Sequence, residues 1–168
     1  LLAENKSFDG LSLRELTRSV GIVPTAFYRH FPRMEDFGLA LVVEAFAAFR
    51  QVIAELKAEP QPGTKMIRSL TRSMIKSVQT HQLQFRFIAS ERYGGDAGVR
   101  TAIRQELRLI ETEVALELGR MPVTAGWSSD DLRMLATLFI NTLVAMGEEL
   151  IDQAADEPKR AKALLEMA

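Results

Sequence analysis

The segment 11–31 constrains this chain more than any other. It reads as two short helices with a glycine between them. Ser12 is followed three residues later by Glu15, the pattern of a capping box, and Leu13, Leu16 and Val20 supply a buried side for a helix over 12–19. Gly21 breaks that helix. Pro24 suits the first turn of a second helix, where its missing N–H is no loss. This second helix is predicted to run to Phe31 and to stop at Phe31-Pro32-Arg33. Ile22 and Phe27 point to a core shared by the two helices, with Phe31 as the far anchor. The other side presents Thr25, Ala26, Tyr28, Arg29 and His30. Two short helices at a tight turn fit a helix-turn-helix, whose second helix enters the major groove of DNA. Arg29 suits a guanine edge or a phosphate, and Ala26 a thymine methyl. Tyr28 and His30 suit phosphate contacts. Arg14, Arg18 and Arg33 add charge around them, Arg18 with the weaker claim to a base because the first motif helix crosses the backbone. The bland rival is an ordinary helical pair, with Arg14 and Arg18 on a solvated face beside Glu15.

The rest of the chain is also read as helical. A third helix is expected over 35–56, with Glu35 and Asp36 in a first turn that favours acids. Glu59-Pro60-Gln61-Pro62-Gly63 then separates two helical blocks, 1–58 and 64–168. In the second block, helices are predicted over 64–79, 82–92 and 97–118, the last with Ile103, Leu107, Ile110, Val114 and Leu118 along one side. Ser129 is expected to cap a helix running to 151, and Pro158 to open a separate terminal helix. The stretch 135–146 carries no charge, so it needs burial on more than one side, at the bundle centre or against another subunit. No strand alternation with hairpin turns is present. The expected fold is all-α: an N-terminal helix-turn-helix DNA-binding domain joined to a C-terminal helical ligand-binding and dimerisation bundle. Its boundaries are set at 1–48, with the first helix truncated, and 49–168.

Composition narrows the chemistry. With 168 residues the chain can bury a core without disulfides. It has no cysteine, which excludes disulfide frameworks, thiol nucleophiles and thiolate metal sites. A net charge of -1 neither predicts nor forbids nucleic-acid binding, so a local basic surface has to supply it. No apolar stretch reaches the roughly 18 residues of a membrane span, and Leu1 opens without the pattern of a signal peptide. We therefore expect a cytoplasmic protein with no membrane partner. There is no glycine-rich phosphate loop, no HExxH and no paired metal-ligand pattern, so neither enzyme activity, a cofactor nor a metal is expected.

The turn at Gly21-Ile22 and the closing Phe27-Tyr28-Arg29-His30-Phe31 resemble the TetR family of bacterial transcription regulators. The resemblance covers about 1–48. It implies that Tyr28 and His30 touch phosphates, while Thr25, Ala26 and Arg29 read or approach bases. The family often carries a lysine where this chain has Met34, and Arg33 is the neighbour expected to substitute for it. The run 21–31, followed by Glu35-Asp36-Phe37-Gly38-Leu39, is similar to the family's repressors of unsaturated fatty acid synthesis. So are Phe85-Arg86, Ser90-Glu91-Arg92 and Met121-Pro122. That closer resemblance implies a homodimer on palindromic operator DNA, governed by a long-chain acyl-CoA.

For the effector region, the residues suggest an adaptable apolar site of Met66, Met74, Phe85, Ile88, Phe139 and Leu143. Met134, Phe87 and Met146 add apolar volume. Arg86 or Arg92 is placed to receive a ligand anion. Trp127 is expected to plug the bundle end or the mouth of the pocket. The competing readings are a filled core for the apolar residues and a surface or rim salt bridge with Glu91 or another acid for the arginines. His81 is read as a polar helix-end residue, not a metal ligand. Dimerisation is expected through the last two helices. Alternatives in function are a sensor of a drug or aromatic compound, and a helical adaptor without DNA binding.

Overall fold

The computed structural model describes residues 7–58, 72–73 and 75–166. Among the described residues the chain is helical and has no strand, as the apolar spacing predicts. A 3-10 turn, Phe8–Gly10, leads into α1 (Leu13–Ser19), α2 (Pro24–Tyr28) and the long α3 (Met34–Ala58). Residues 75–80 are helical and meet α4 (Gln82–Glu91) at His81. Then come α5 (Ala97–Gly119), a 3-10 turn Pro122–Thr124, and α6 (Ser129–Glu166).

The core follows from the helical stripes. α3 buries Val42, Phe46, Phe49 and Ile53, one side of a helix with 3.6 residues per turn. α5 answers with Val99, Ile103, Ile110 and Val114, and Leu107 and Leu118 pack at its edges. α6 adds Ala136, Ile140, Leu143 and Val144, and α4 adds Phe85, Phe87 and Ile88. Each large apolar side chain sealed in this way stabilises the fold by about 1.5–3 kcal/mol. Side chains of α5 and of the first 3-10 turn crowd α3 at Gly38. A Cβ built there would lie 2.6 Å from Val99 Cγ2 and 2.7 Å from Phe8 Cζ, so only glycine fits without a shift.

Several expectations are corrected. Val20 is exposed (61%) because it is the C-cap of α1, off the helical path; Thr17 takes the buried place, its hydroxyl donating to the Leu13 carbonyl at 2.8 Å. Ile22 is likewise exposed, beyond the turn. α2 ends at Tyr28 and not at Phe31, although the Phe31 N–H still reaches the Phe27 carbonyl at 3.0 Å. Ser128, not Ser129, caps α6, because Asp131 stands three residues on and completes a reciprocal box: Ser128 Oγ accepts the Asp131 N–H at 3.2 Å, and the Ser128 N–H donates to the carboxylate at 3.1 Å. The break expected at Pro158 does not occur; α6 stays helical from Ser129 to Glu166. Proline removes one backbone bond and crowds the preceding turn. A helix already anchored by Ile140, Leu143 and Val144 can propagate past it, since extending a helix costs less than starting one. The two terminal helices are thus one. Its uncharged stretch 135–146 buries a single side and leaves Leu138 exposed, next to exposed Met134. The expected opening Leu1-Leu2-Ala3-Glu4, and most of the helix expected over 64–79, lie outside the described residues.

The core assignment predicts unequal costs for neighbouring apolar positions of α3. Phe46→Ala should lower unfolding free energy by about 3–5 kcal/mol, whereas Val43→Ala on the exposed side should change it by no more than about 0.5 kcal/mol. Urea titration followed by circular dichroism checks both.

Candidate nucleic-acid interface and effector region

The interface is assembled from local rules. Ser12 caps α1, its Oγ accepting the Glu15 N–H at 3.2 Å while the Glu15 carboxylate accepts the Ser12 N–H at 3.2 Å. At the other end Gly21 has φ +71, a left-handed conformation that a side chain disfavours. There the Ile22 N–H bonds the Thr17 carbonyl at 3.0 Å and the Gly21 N–H bonds the Arg18 carbonyl at 3.3 Å. This pair of bonds is a Schellman motif, and it sets the angle at which the chain leaves α1 for α2. Pro24 occupies the first turn of α2, as the sequence predicts.

A helix of five residues is too short to hold itself. Phe27 holds it. Its ring is buried, with ring centroids 5.5 Å from Phe31 and 5.7 Å from Phe37, and Phe31 meets Phe37 at 5.2 Å. With the aromatic side turned inward, Thr25, Tyr28, Arg29 and His30 are exposed and Ala26 is half-buried. Arg14 and Arg18 are exposed on α1. All of these are free of the core, on or beside one short rod.

Arg33 is exposed but engaged. Its guanidinium donates to Asp36 at 2.8 Å and to Glu35 at 2.6 Å. The hydrogen bond from Arg33 holds the Asp36 carboxyl below the ordinary aspartate range, and the same bond raises Arg33 further. The charge expected to replace the lysine at Met34 is therefore already shared with two acids. Sequence inspection missed this because both acids also satisfy the first turn of α3.

In the second block Phe85, Ile88, Phe139 and Leu143 belong to one apolar cluster, Phe139 at its edge. Phe85 meets Phe49 at 5.8 Å. Arg86 is half-buried on α4. Arg92 is buried just past the end of α4, its guanidinium 4.4 Å from the Tyr93 ring centroid and its Nε without a partner. Trp127 stands apart from the cluster, 49% exposed in the loop before α6, where Gly126 adopts φ +88; it does not plug the bundle. Met66 and Met74 lie outside the described residues. Glu91 Oε1 accepts the Phe8 N–H at 2.8 Å and the Ser90 hydroxyl at 3.4 Å. Glu106 pairs with Arg50, tying α5 to α3. Neither the link to Phe8 nor the one to Arg50 was visible in the sequence, since each joins residues far apart in the chain.

Residues 62–167 match the family model described as the tetracyclin repressor-like, C-terminal domain, which spans more than half of the chain. The chain belongs to the TetR family. Members are ligand-responsive transcriptional regulators, not enzymes; they bind DNA and small-molecule effectors and form dimers. The all-α architecture agrees with a TetR-like fold. Among the described residues, no helix is long and apolar enough to cross a membrane. No group of three or more potential metal ligands occurs among them either.

Two predictions test this local geometry. Gly21→Ala meets open space, so its cost is backbone strain alone, about 1–2 kcal/mol in urea unfolding. The second concerns acid. Asp36 titrates lower in the folded chain than in the unfolded one. Its stabilisation is fully present above the unfolded value, at about pH 4, and is lost as pH falls through the folded value. Asp36→Asn should flatten that part of a stability profile measured from about pH 5 down to about pH 2, the effect shrinking in high salt.

Proposed function

We propose that this TetR-family chain is a repressor of unsaturated fatty acid synthesis genes. It binds a palindromic operator as a homodimer and is controlled in the cytoplasm by a long-chain acyl-CoA. The observation that carries the DNA side of this reading is α2: Thr25 and Tyr28 are exposed while Phe27, on the same five residues, is buried, and Arg29 follows them, exposed. In this reading residues 1–48 form the reader and 49–168 the effector-binding and dimerisation domain. Arg29, Thr25 and Ala26 meet base edges. Tyr28, His30 and Arg14 meet phosphates. Arg33 joins them when it leaves Asp36 and Glu35.

The effector side rests on α4 and α6. Phe85, Ile88, Phe139 and Leu143 form the apolar wall. Arg86 and Arg92 take the anionic end of the ligand, and Trp127 lies at the rim. The dimer seam uses the unburied side of α6, where Met134 and Leu138 are 61% and 60% exposed one turn apart, with Leu109 and Leu116 of α5 also exposed. Solvent-facing leucines and methionines on the last helices favour a second copy over isolated exposure. Control passes through α3, which runs unbroken from Met34 to Ala58 across the boundary between the two regions. A tilt of α3 changes the spacing of the two reading helices, which must match successive major grooves about 34–36 Å apart.

Arg29→Ala should weaken binding to the selected operator by about 5- to 150-fold and relax discrimination at one base position. Arg14→Ala should weaken all duplexes alike and lower the salt slope by about one. Unchanged affinity in both variants rejects α2 as the reader. Native mass spectrometry of the purified protein tests the effector. A retained acyl thioester supports the lipid reading, and a retained aromatic or drug-like compound replaces it.

A further inference from the structure

We infer that Glu91 is the positioning residue through which the effector region holds the DNA reader; this rests on the reading of α2 given above. The bond from the Phe8 N–H to Glu91 Oε1 is 2.8 Å long, buried, and joins residues 83 apart in sequence. Phe8 opens the 3-10 turn Phe8–Gly10, whose first N–H has no acceptor within the turn. A helix from the other region supplies it. Ser12, the cap of α1, follows shortly after that turn, so the register of α1 hangs on where α4 ends.

The Glu91 bond does not act alone. Phe87, one turn earlier on α4, meets the Phe8 ring edge-on at 6.4 Å. Phe8 in turn meets Phe37 at 6.2 Å, and Phe37 meets Phe27 of α2 at 5.7 Å. α4 therefore grips Phe8 twice, by ring and by backbone, and an unbroken line of packed rings runs from α4 to the reading helix. At its other end α4 carries Phe85, which lies on Phe49 in the effector core. A shift of α4 has no soft element in which to dissipate before it reaches Phe8.

The carboxylate is an expensive way to make this joint. Glu91 is 0% exposed, and its Oε2 has no partner. A buried, half-satisfied carboxyl group opposes folding where an apolar side chain would not. The chain also bends to admit it: Gly95 has φ +65, and a Cβ there would lie 1.7 Å from Glu91 Oε2. The one oxygen that is satisfied takes the Phe8 N–H and, at 3.4 Å, the Ser90 hydroxyl, so the bond to Phe8 is the contact by which this side chain reaches the DNA reader. Packing alone does not account for a polar group here.

Amide exchange of the full chain, read by mass spectrometry, tests the inference without DNA or ligand. In Glu91→Ala, residues 8–19 should exchange about tenfold faster or more, while 99–114 of α5 keep their protection. Glu91→Gln retains an acceptor oxygen and should show a smaller rise, which keeps the test open if the alanine variant folds poorly. Phe85→Leu, a disturbance at the far end of α4, should speed exchange of 8–19 in the natural background and add nothing when Glu91→Ala is present. Equal acceleration across 8–19 and 99–114 makes Glu91 a general fold residue and overturns the inference. So do unchanged 8–19 exchange and additive effects of the two substitutions. Operator binding with and without oleoyl-CoA then tests the coupling: the response of the natural chain should fall to a ratio near one in Glu91→Ala, and a retained response overturns the inference. If the natural chain itself ignores oleoyl-CoA, the choice of effector fails, and the exchange pattern still decides the role of Glu91.

Discussion

The burial of Phe27 against Phe31 and Phe37 is the interaction on which the proposed reading surface depends. α2 has five residues, and isolated helices of that length do not persist in water. Three rings hold its inner side to the start of α3. The outward direction of Thr25, Tyr28 and Arg29 is a consequence, since neighbouring residues on one turn cannot all face the same way. The same cluster continues through Phe8 to Phe87, so the short rod is fixed to the effector region as well as to its own domain.

α3 connects the two regions, and its surroundings explain why a small movement can matter. At its first turns Gly38 lets Val99 and Phe8 approach too closely for a side chain between them. Farther along, Arg50 pairs with Glu106 of α5. Close-packed contacts of this kind transmit displacement because they leave no void to absorb it. Arg33 marks a corner of the fold: its guanidinium ties the start of α3 through Asp36 and Glu35, so the phosphate contact proposed for it competes with these two acids. Partition between these partners depends on salt, since all three groups lie at the surface.

The effector region divides by chemistry. Phe85, Ile88 and Leu143 are packed side chains of the central cluster, and Phe139 lies at its edge. Arg92, stacked on Tyr93, and Trp127, half-exposed in its loop, are polar-tipped groups near the ends of elements. The exposed side of α6 is a separate surface, and Met134 and Leu138 on it do not contribute to the buried cluster.

Much of this was legible in the chain itself. Ser12 with Glu15, the glycine at 21, the proline at 24 and the apolar stripe of α5 act over one or two helical turns, and each took the place that local stereochemistry assigns. The inward turn of Phe27 was legible for the same reason. What sequence alone could not reach was the exposure of Val20 and Ile22, the persistence of α6 through Pro158, the capture of Arg33 by both acids, and the bond from Phe8 to Glu91. These depend on which elements meet. A helix end or a turn is decided by bonds among neighbours, whereas the partner of a buried carboxylate and the length of an anchored helix are decided by packing across the whole fold.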